Sequence, residues 1–274
     1  MARTVTDVAI LLGALTGIDA EDAVTVESSN KTQKDYTKFL ALDGLNGKRI
    51  GIEKSSFEGH EAAVALYNQA IEILKKQGAT VIEVELNKAV DDLSDAEFLV
   101  LKYEFKEGLN KYLAKANAKV KSLADVILFN RENETLAMPF FKQELMDECE
   151  EMGTLESKDY AIALEKSLSS RKIINDMMNE NKLDAIAGVT AGLSCCVDLV
   201  NGDYGTGFYF SAAAAMAGYP HITVPMGRVF ELPVGLSFIS GAYKEAELLT
   251  IAYSFEQATK KRAAPKFKNT VTAL

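Results

Sequence analysis

Histidine and cysteine are scarce in this chain, which has two histidines and three cysteines in 274 residues. Cys195 and Cys196 are adjacent, and Cys149 lies on a separate predicted helix. Structural zinc sites need about four ligands at a spacing that lets them converge, such as C-x-x-C with further partners. We therefore expect no metal site and no disulfide framework, and interpret the cysteines as small buried residues in a reducing cytoplasm.

Clustered positive charge and long apolar runs are also missing. The net charge is −9 at pH 7, and no stripe of Lys and Arg could replace the counterions on a nucleic acid. No apolar run reaches the ~18 residues of a membrane span, and the first residues lack the pattern of a signal peptide. These absences argue against nucleic acid and membrane as partners and favour a cytoplasmic location.

Two common motifs of catalysis and cofactor binding are absent. The sequence has no G-x-S-x-G, so neither His60 nor His221 is expected to serve in a Ser-His-Asp triad. Gly202, Gly205 and Gly207 have the reverse of the dinucleotide-binding spacing G-x-G-x-x-G. We expect no cofactor, and the motifs alone indicate no more than an α/β domain.

A βαβ unit is the clearest local pattern that is present. Residues 48–54 and 80–86 predict two strands, and residues 61–77 predict a helix between them that ends at Gly78. Strands joined in this way are expected to be parallel, with a right-handed crossover. His60 is expected to cap or flank the helix.

The remaining patterns complete an α/β fold. We expect a single α/β unit over residues 1–274, with a mostly helical insertion at 94–180. The glycine-rich stretch at 188–207 is expected to form a loop. The other predicted elements are helices at 5–15, 208–217 and 245–261, and strands at 183–189, 221–227 and 234–240, the last two buried.

Four stretches resemble the amidase-signature family, in the order in which that family has them. They begin at Met1 (MARTVTD), Leu45 (LNGKRIGI), Tyr103 (YEFKEGLNKYL) and Ala217 (AGYPHITVPMG, followed by LPVGLSFISG). Together they cover nearly the whole chain, and the last two resemble the branch that includes peptide amidases. The resemblance implies part of the family's fold, a mixed β-sheet flanked by helices that is incomplete without an N-terminal catalytic half.

The family's catalytic residues have no counterpart in this sequence. Members of the family cleave or transfer amides with a nucleophilic serine, a second serine on a cis peptide and a lysine. All three precede the segment that residues 1–7 resemble, and no Gly-Gly-Ser-Ser run occurs among the 274 residues. The resemblance therefore implies a C-terminal portion that is inactive alone, and we assign no catalytic residue.

Four residues are candidates for lining a substrate pocket, by resemblance and position: Phe105, Asn110, Asn201 and Asp203. Each also has a structural interpretation. Phe105 lies on an apolar helical stripe typical of a core, and Asn201 precedes a glycine in a turn dipeptide. Asn110 and Asp203 can bond to local backbone.

These features leave three hypotheses open. The leading one is the C-terminal part of an amide hydrolase, which acts on a small amide or a peptide amide once an N-terminal half complements it. Strands at 220–240 would then leave a bare sheet edge, so self-association or a partner fragment is expected. The alternative is a non-catalytic protein that binds a small molecule or a partner on the same scaffold. An enzyme with its nucleophile inside this chain is the third, and Cys195 or Cys196 would be the first to examine.

Overall fold

The fold is centred on one mixed β-sheet in a computed structural model that describes residues 1–265. Its strands are β1 Arg49–Glu53, β2 Thr80–Val84, β3 Ala185–Val189, β4 His221–Val229 and β5 Leu232–Ile239. The spatial order is β2-β1-β3-β5-β4. Strand β1 is parallel to β2 and β3, whereas β5 is antiparallel to β3 and β4. The expected mixed α/β sheet is confirmed.

Helices cover both faces of this sheet, and those from α3 to α9 lie in the chain between β2 and β3. Their bounds are α1 Val5–Leu15, α2 Glu61–Lys76, α3 Leu86–Val90, α4 Ser94–Lys115, α5 Leu123–Glu132, α6 Glu134–Ala137, α7 Glu144–Glu151, α8 Lys158–Leu168, α9 Ser170–Asn181, α10 Ala212–Ala217 and α11 Glu245–Thr259. None of the helices within residues 1–265 combines the length and the apolar character that crossing a bilayer requires.

The predicted βαβ unit is confirmed in β1, α2 and β2. His60 caps α2, since its Nδ1 accepts a hydrogen bond from the N–H of Ala62. Gly78 follows the helix at a φ of +90°, a left-handed conformation that glycine adopts without a Cβ penalty. The strand after it is shorter than predicted, because Leu86 begins α3 instead of ending β2.

Two cores lie on opposite faces of the sheet. On one face, α1, α2 and α11 pack against alternate strand residues such as Ala187, Leu236 and Phe238. On the other face, α3, α9 and α10 pack against the intervening residues, such as Ile186 and Ile239. Alternation along each strand thus divides the apolar residues between two layers of helices.

Two predicted patterns are wrong in detail. The helix predicted at 208–217 begins only at Ala212, because Tyr209 forms a β-bridge with Ala191 and the N–H of Phe210 donates to the carbonyl of Thr190. In α4, the apolar stripe that includes Phe98 and Phe105 lies mostly at the surface, and the helix buries residues such as Val100 instead. Periodicity detects an apolar stripe but does not show what covers it.

Strand β4 forms one edge of the sheet. Among residues 1–265 it pairs with β5 alone, through a two-residue turn at Phe230 and Glu231 in which both residues have positive φ. The prediction that both strands are buried is wrong for β4, in which His221 and Thr223 are exposed while Val224 is buried. An edge strand that is covered on one face alternates in this way.

Candidate functional site at the carboxyl ends of the strands

At one end of the sheet, two adjacent parallel strands are followed by segments that go to opposite faces of the sheet. Strand β1 leads to α2 on one face, and β3 leads through residues 190–211 to α10 on the other face. In open α/β sheets, the crevice at such a switch in direction is the usual position of a ligand site. The carboxyl ends of β1 and β3 are therefore the first candidate for a functional site.

Glu53 organises this end of the sheet with a buried carboxylate, 1% exposed. Its Oε1 accepts bonds from the N–H and the hydroxyl of Ser55, at 3.1 and 2.8 Å. Its Oε2 accepts bonds from the N–H groups of Leu86 and Asn87, at 2.8 and 3.2 Å. A carboxylate with four donors is fully hydrogen-bonded, so Glu53 joins the ends of β1 and β2 and is poorly suited to act as a base.

Further polar contacts join the loops around the crevice. Ser56 Oγ accepts a bond from the N–H of Val189, which links β1 to β3. Asn87 Nδ2 donates to Ser55 Oγ at 2.9 Å and to the carbonyl of Tyr209 at 3.1 Å. The loop after β3 is thereby fixed against the first turn of α3 and the segment after β1.

These loops enclose a cavity of about 370 Å³. Its polar lining includes Ser55, Asn87 and Glu97, and its apolar lining includes Phe208 and Met216. Burial raises the pKa of the Glu97 carboxyl above its usual range. The mixture of apolar walls and a few polar groups suits a small ligand. The hydroxyl of Ser55 does donate to Glu53, but that carboxylate already accepts four hydrogen bonds, which makes the pair a structural contact.

A second polar group lies on the sheet itself, near the β4 edge. Ser237 Oγ is 2.7 Å from His221 Nε2 and 2.8 Å from the hydroxyl oxygens of Thr190 and Thr223. Gly235 leaves space for this cluster, because a Cβ there would come within 2.7 Å of Thr190 Oγ1. The residues come from three strands or their ends.

The Ser237–His221 pair has the distance of a nucleophile and its base, but not the access. Ser237 is fully buried, so a substrate carbonyl cannot reach its hydroxyl. Although His221 as a whole is exposed, its ring packs against buried Ser237, and this partial desolvation lowers its pKa and favours the neutral imidazole. We interpret the cluster as a structural network that joins β4 and β5 to the end of β3.

The four residues that the resemblance proposed for a pocket do not line the cavity at the carboxyl ends of β1 and β3. Phe105 is 43% exposed on α4, and Asn110 Oδ1 accepts a bond from the N–H of Leu123. Asn201 and Asp203 lie in an exposed turn, in which Asp198 accepts the N–H of Asn201. Their role in binding a substrate stays a prediction.

The structure corrects the interpretation of two of the cysteines. Cys149 is buried, but Cys195 is only partly buried and Cys196 is exposed, because both lie in the irregular loop between β3 and α10. Within residues 1–265, no cluster of three or more His, Cys, Asp or Glu side chains could hold a metal ion.

Sequence reasoning missed the polar residues that form this site. The run Glu53–Ser56 indicates only a turn without glycines, although a glutamate at the end of an apolar strand is itself a signal of a buried, bonded carboxylate. Thr190, Thr223 and Ser237 give no signal, because they are far apart in the sequence and meet only through strand pairing.

The sequence profile of the Amidase family matches residues 1–249. This chain belongs to the amidase family. It is 33% identical over 277 residues to a probable amidase of Arabidopsis thaliana, covering 97% of this chain and 49% of that protein. It is 30% identical over 272 residues to a subunit of the glutamyl-tRNA(Gln) amidotransferase of Clostridium botulinum, covering 94% of this chain and 54% of that protein.

Solved structures agree with this assignment. The native peptide amidase of Stenotrophomonas maltophilia superposes with a TM-score of 0.89 at 35% identity, over 98% of this chain and 54% of that enzyme. The peptide amidase bound to the competitive inhibitor chymostatin gives 0.91, over 97% and 55%. The resemblance to amidase-signature enzymes, peptide amidase among them, is confirmed. The chain spans about half the length of the relatives that it matches.

Proposed function

We propose that this chain is one part of an amide hydrolase and that it contributes to hydrolysis only when a complementary polypeptide supplies the catalytic groups. The reaction would convert a small amide or a peptide amide and water into a carboxylic acid and ammonia. The observation that carries the proposal is the 35% identity to peptide amidase over 98% of this chain, which spans only 54% of that enzyme. A cytoplasmic location belongs to the same proposal.

The chemistry of the described residues supports a need for complementation. The crevice at the ends of β1 and β3 contains hydroxyls and the carboxyl of Glu97, whose pKa is raised by burial. Its one hydroxyl–carboxylate pair, Ser55 with Glu53, is part of a fully hydrogen-bonded structural contact. The hydroxyl of Ser237, which does have an imidazole partner, is inaccessible. Acyl transfer needs a nucleophile, a base and oxyanion donors together, and we propose that these come from outside this chain.

Exposed apolar surface also supports a missing partner. Helix α1 is apolar on nearly every side, and its outer residues Ile10 and Leu15 are 58% and 73% exposed. The outward stripe of α4 includes Leu101, which is 54% exposed. A helix that is apolar all round is typically buried, so we propose that a complementary half or a second copy of the chain covers these surfaces.

The test is to reconstitute the enzyme. The chain would be co-expressed with the part of the S. maltophilia peptide amidase that it does not span, and ammonia release from a C-terminally amidated dipeptide would be measured. We expect no release by the chain alone and measurable release by the complex. Mutation of the nucleophile in the added part should abolish it, which controls for contaminating amidases.

The second candidate function is binding without catalysis on the same scaffold. The cavity of about 370 Å³, with its mixed polar and apolar lining, is the observation that favours it. Calorimetry of the isolated chain with a small amide would detect such binding. Saturable binding by the chain, together with no hydrolysis on complementation, would favour this candidate over the hydrolase. The proposed pocket residues Phe105, Asn110, Asn201 and Asp203 would be compared by alanine substitution in the same assay.

A further inference from the structure

The adjacent cysteines Cys195 and Cys196 lie in the loop that connects β3 to α10. The base of this loop is closed by a β-bridge between Ala191 and Tyr209. Beyond the base, residues 193–205 form neither a helix nor a strand. The loop can therefore change its conformation while its two ends stay in place.

Two further contacts hold the base of the loop. The N–H of Phe210 donates to the carbonyl of Thr190 at 3.2 Å. The backbones of Gly192 and Thr206 touch, since a Cβ on Gly192 would be 1.9 Å from the carbonyl oxygen of Thr206. These contacts separate the loop from β3, so a conformational change at the cysteines is expected to stay within it.

Both thiols in the loop are accessible and uncommitted. Cys196 is exposed and Cys195 is partly buried. Among residues 1–265, neither cysteine takes part in a hydrogen bond through its backbone or its side chain. A bond between the two sulfur atoms could thus form without breaking a hydrogen bond of the fold.

The third cysteine is in a different environment. Cys149 is buried between α5 and α7, where it packs with Leu123 and Ile127. Burial raises the pKa of its thiol, which lowers the fraction of reactive thiolate. Oxidation is therefore expected to select the two cysteines of the loop.

A disulfide between neighbouring residues is strained. Adjacent Cα atoms are about 3.8 Å apart across a trans peptide, whereas the Cα atoms joined by a disulfide are usually about 5.5–6 Å apart. The bond must therefore twist the peptide that joins the two residues, which irregular backbone allows and a helix or strand does not. Strained disulfides are the more easily reduced ones, so such a bond is readily reversed.

The turn that follows the cysteines carries two predicted pocket residues. Asp198 Oδ1 accepts the N–H groups of Val200 and Asn201, both at 2.9 Å. Asp203 follows in the same loop. Only Val197 separates the second cysteine from this turn, so a twist at the cysteines changes the direction in which the chain enters it.

We propose that Cys195 and Cys196 form a reversible disulfide with each other and that this bond changes the conformation of residues 193–205. The co-reactant is a small disulfide such as glutathione disulfide. The thiolate of Cys196 attacks one of its sulfur atoms and releases one glutathione thiolate. The thiolate of Cys195 then attacks the Cys196 sulfur and releases the second. Two protein thiols are oxidised to a disulfide, and one glutathione disulfide is reduced to two thiols that take up the two protons. Neither step depends on amide hydrolysis.

The experiment treats the reduced chain with glutathione disulfide, alkylates the remaining thiols in denaturant and identifies the peptides by mass spectrometry. We expect the peptide that contains Cys195 and Cys196 to escape alkylation and to be lighter by two hydrogens. Dithiothreitol should restore both of its thiols, whereas Cys149 should be alkylated throughout. In Cys195→Ser, the reaction should stop at the mixed disulfide of Cys196 with glutathione, because the second thiolate is missing.

NMR of the isotopically labelled chain tests the effect on the loop. Oxidation should shift the amide resonances of residues 197–202 and leave those of Val189 and Phe210, beyond the base of the loop, unchanged. The matched control is the double variant Cys195→Ser with Cys196→Ser, in which the same oxidant should shift none of them. Cys149→Ser should respond as the original chain does.

Several outcomes would overturn the inference. In excess glutathione disulfide, the original chain could keep both thiols, accumulate a stable glutathione adduct or form disulfide-linked dimers. The shifts could be confined to the two cysteines, spread into β3 or persist in the double serine variant. Ammonia release by the complemented enzyme is a separate measurement, so its failure would contradict the proposed function and not this disulfide.

Discussion

The sheet and the helical layer between β2 and β3 are held together in different ways. All five residues of β3 are buried. The core on one face of the sheet brings together residues of α1, near the start of the chain, and of α11, near its end. The layer from α4 to α8 has only small apolar clusters, supplemented by ion pairs such as Lys102–Glu148 and Arg131–Asp147. Long-range burial stabilises the first region, whereas local packing and polar contacts hold the second, with a large apolar surface left exposed.

The largest difference in stability between the two regions is expected when a large side chain is removed from the sheet core. Phe238 on β5 is fully buried and packs against Phe255, with ring centroids 5.9 Å apart. Phe238→Ala should lower the free energy of unfolding by about 3–5 kcal/mol, measured by denaturant titration. Phe105→Ala in the helical layer is the control, and it should cost less than about 1 kcal/mol because that side chain is exposed. Equal losses would show that the exposed stripe of α4 is covered in solution.

The next largest effect is expected from the buried carboxylate at the strand ends. Each carboxylate oxygen of Glu53 accepts two hydrogen bonds. Glu53→Gln replaces one of these oxygens with an NH2 group, which donates and cannot accept them. We expect a loss of about 2–3 kcal/mol in the free energy of unfolding. Glu85→Gln, which only weakens exposed ion pairs, should cost less than about 1 kcal/mol. An unchanged free energy of unfolding in the Glu53→Gln variant would contradict the structural role assigned to this residue.

A substitution inside the helical layer should act locally. The ammonium group of Lys106 donates to the carbonyls of Glu150, in the last turn of α7, and of Met152, which follows the helix. Lys106→Met should cost about 1–3 kcal/mol, and hydrogen exchange should accelerate in α7 but not in β3. Lys111→Met, on an exposed face of the same helix, is the control. Faster exchange across the whole chain would mean that the two regions unfold as one unit.

The N-cap of α1, a helix that packs on the sheet, is expected to make a smaller contribution to the free energy of unfolding. Thr4 Oγ1 accepts a bond from the N–H of Asp7. Thr4→Ala should lower the free energy of unfolding by about 1 kcal/mol, and Thr4→Ser should retain most of it, because serine can make the same bond. A serine variant as unstable as the alanine variant would assign the effect to the lost methyl group instead.

The smallest effect expected is a pH dependence at the β4 edge. Burial lowers the folded-state pKa of His221 below its usual 6.5. As the pH falls, His221 therefore takes up a proton in the unfolded chain at a higher pH than in the folded chain. The contribution of the neutral imidazole to the free energy of unfolding is lost as the pH falls from 6.5 to the lowered pKa. Comparing the free energy of unfolding at pH 7 and pH 5 should show a smaller decrease for His221→Gln than for the original chain. The same decrease in both would exclude His221 as a cause.

Sequence patterns predict the local elements of this fold well. They place His60 and Gly78 at helix ends because capping depends on neighbours within a few residues. The patterns could not say that Phe98 and Phe105 face outward in α4, since that depends on what else packs there. Nor could they place Thr190, Thr223 and Ser237 together, because strand order decides it. For the candidate site, Glu53 gives a readable signal, while the roles of Asn110 and Asp203 stay predictions.

The most direct test of this account is ammonia release from a peptide amide by the chain with and without the complementary part of peptide amidase. The account predicts no release by the chain alone and release by the complex, lost when the added nucleophile is mutated. Release by the chain alone would contradict the central claim and require a nucleophile within these 274 residues.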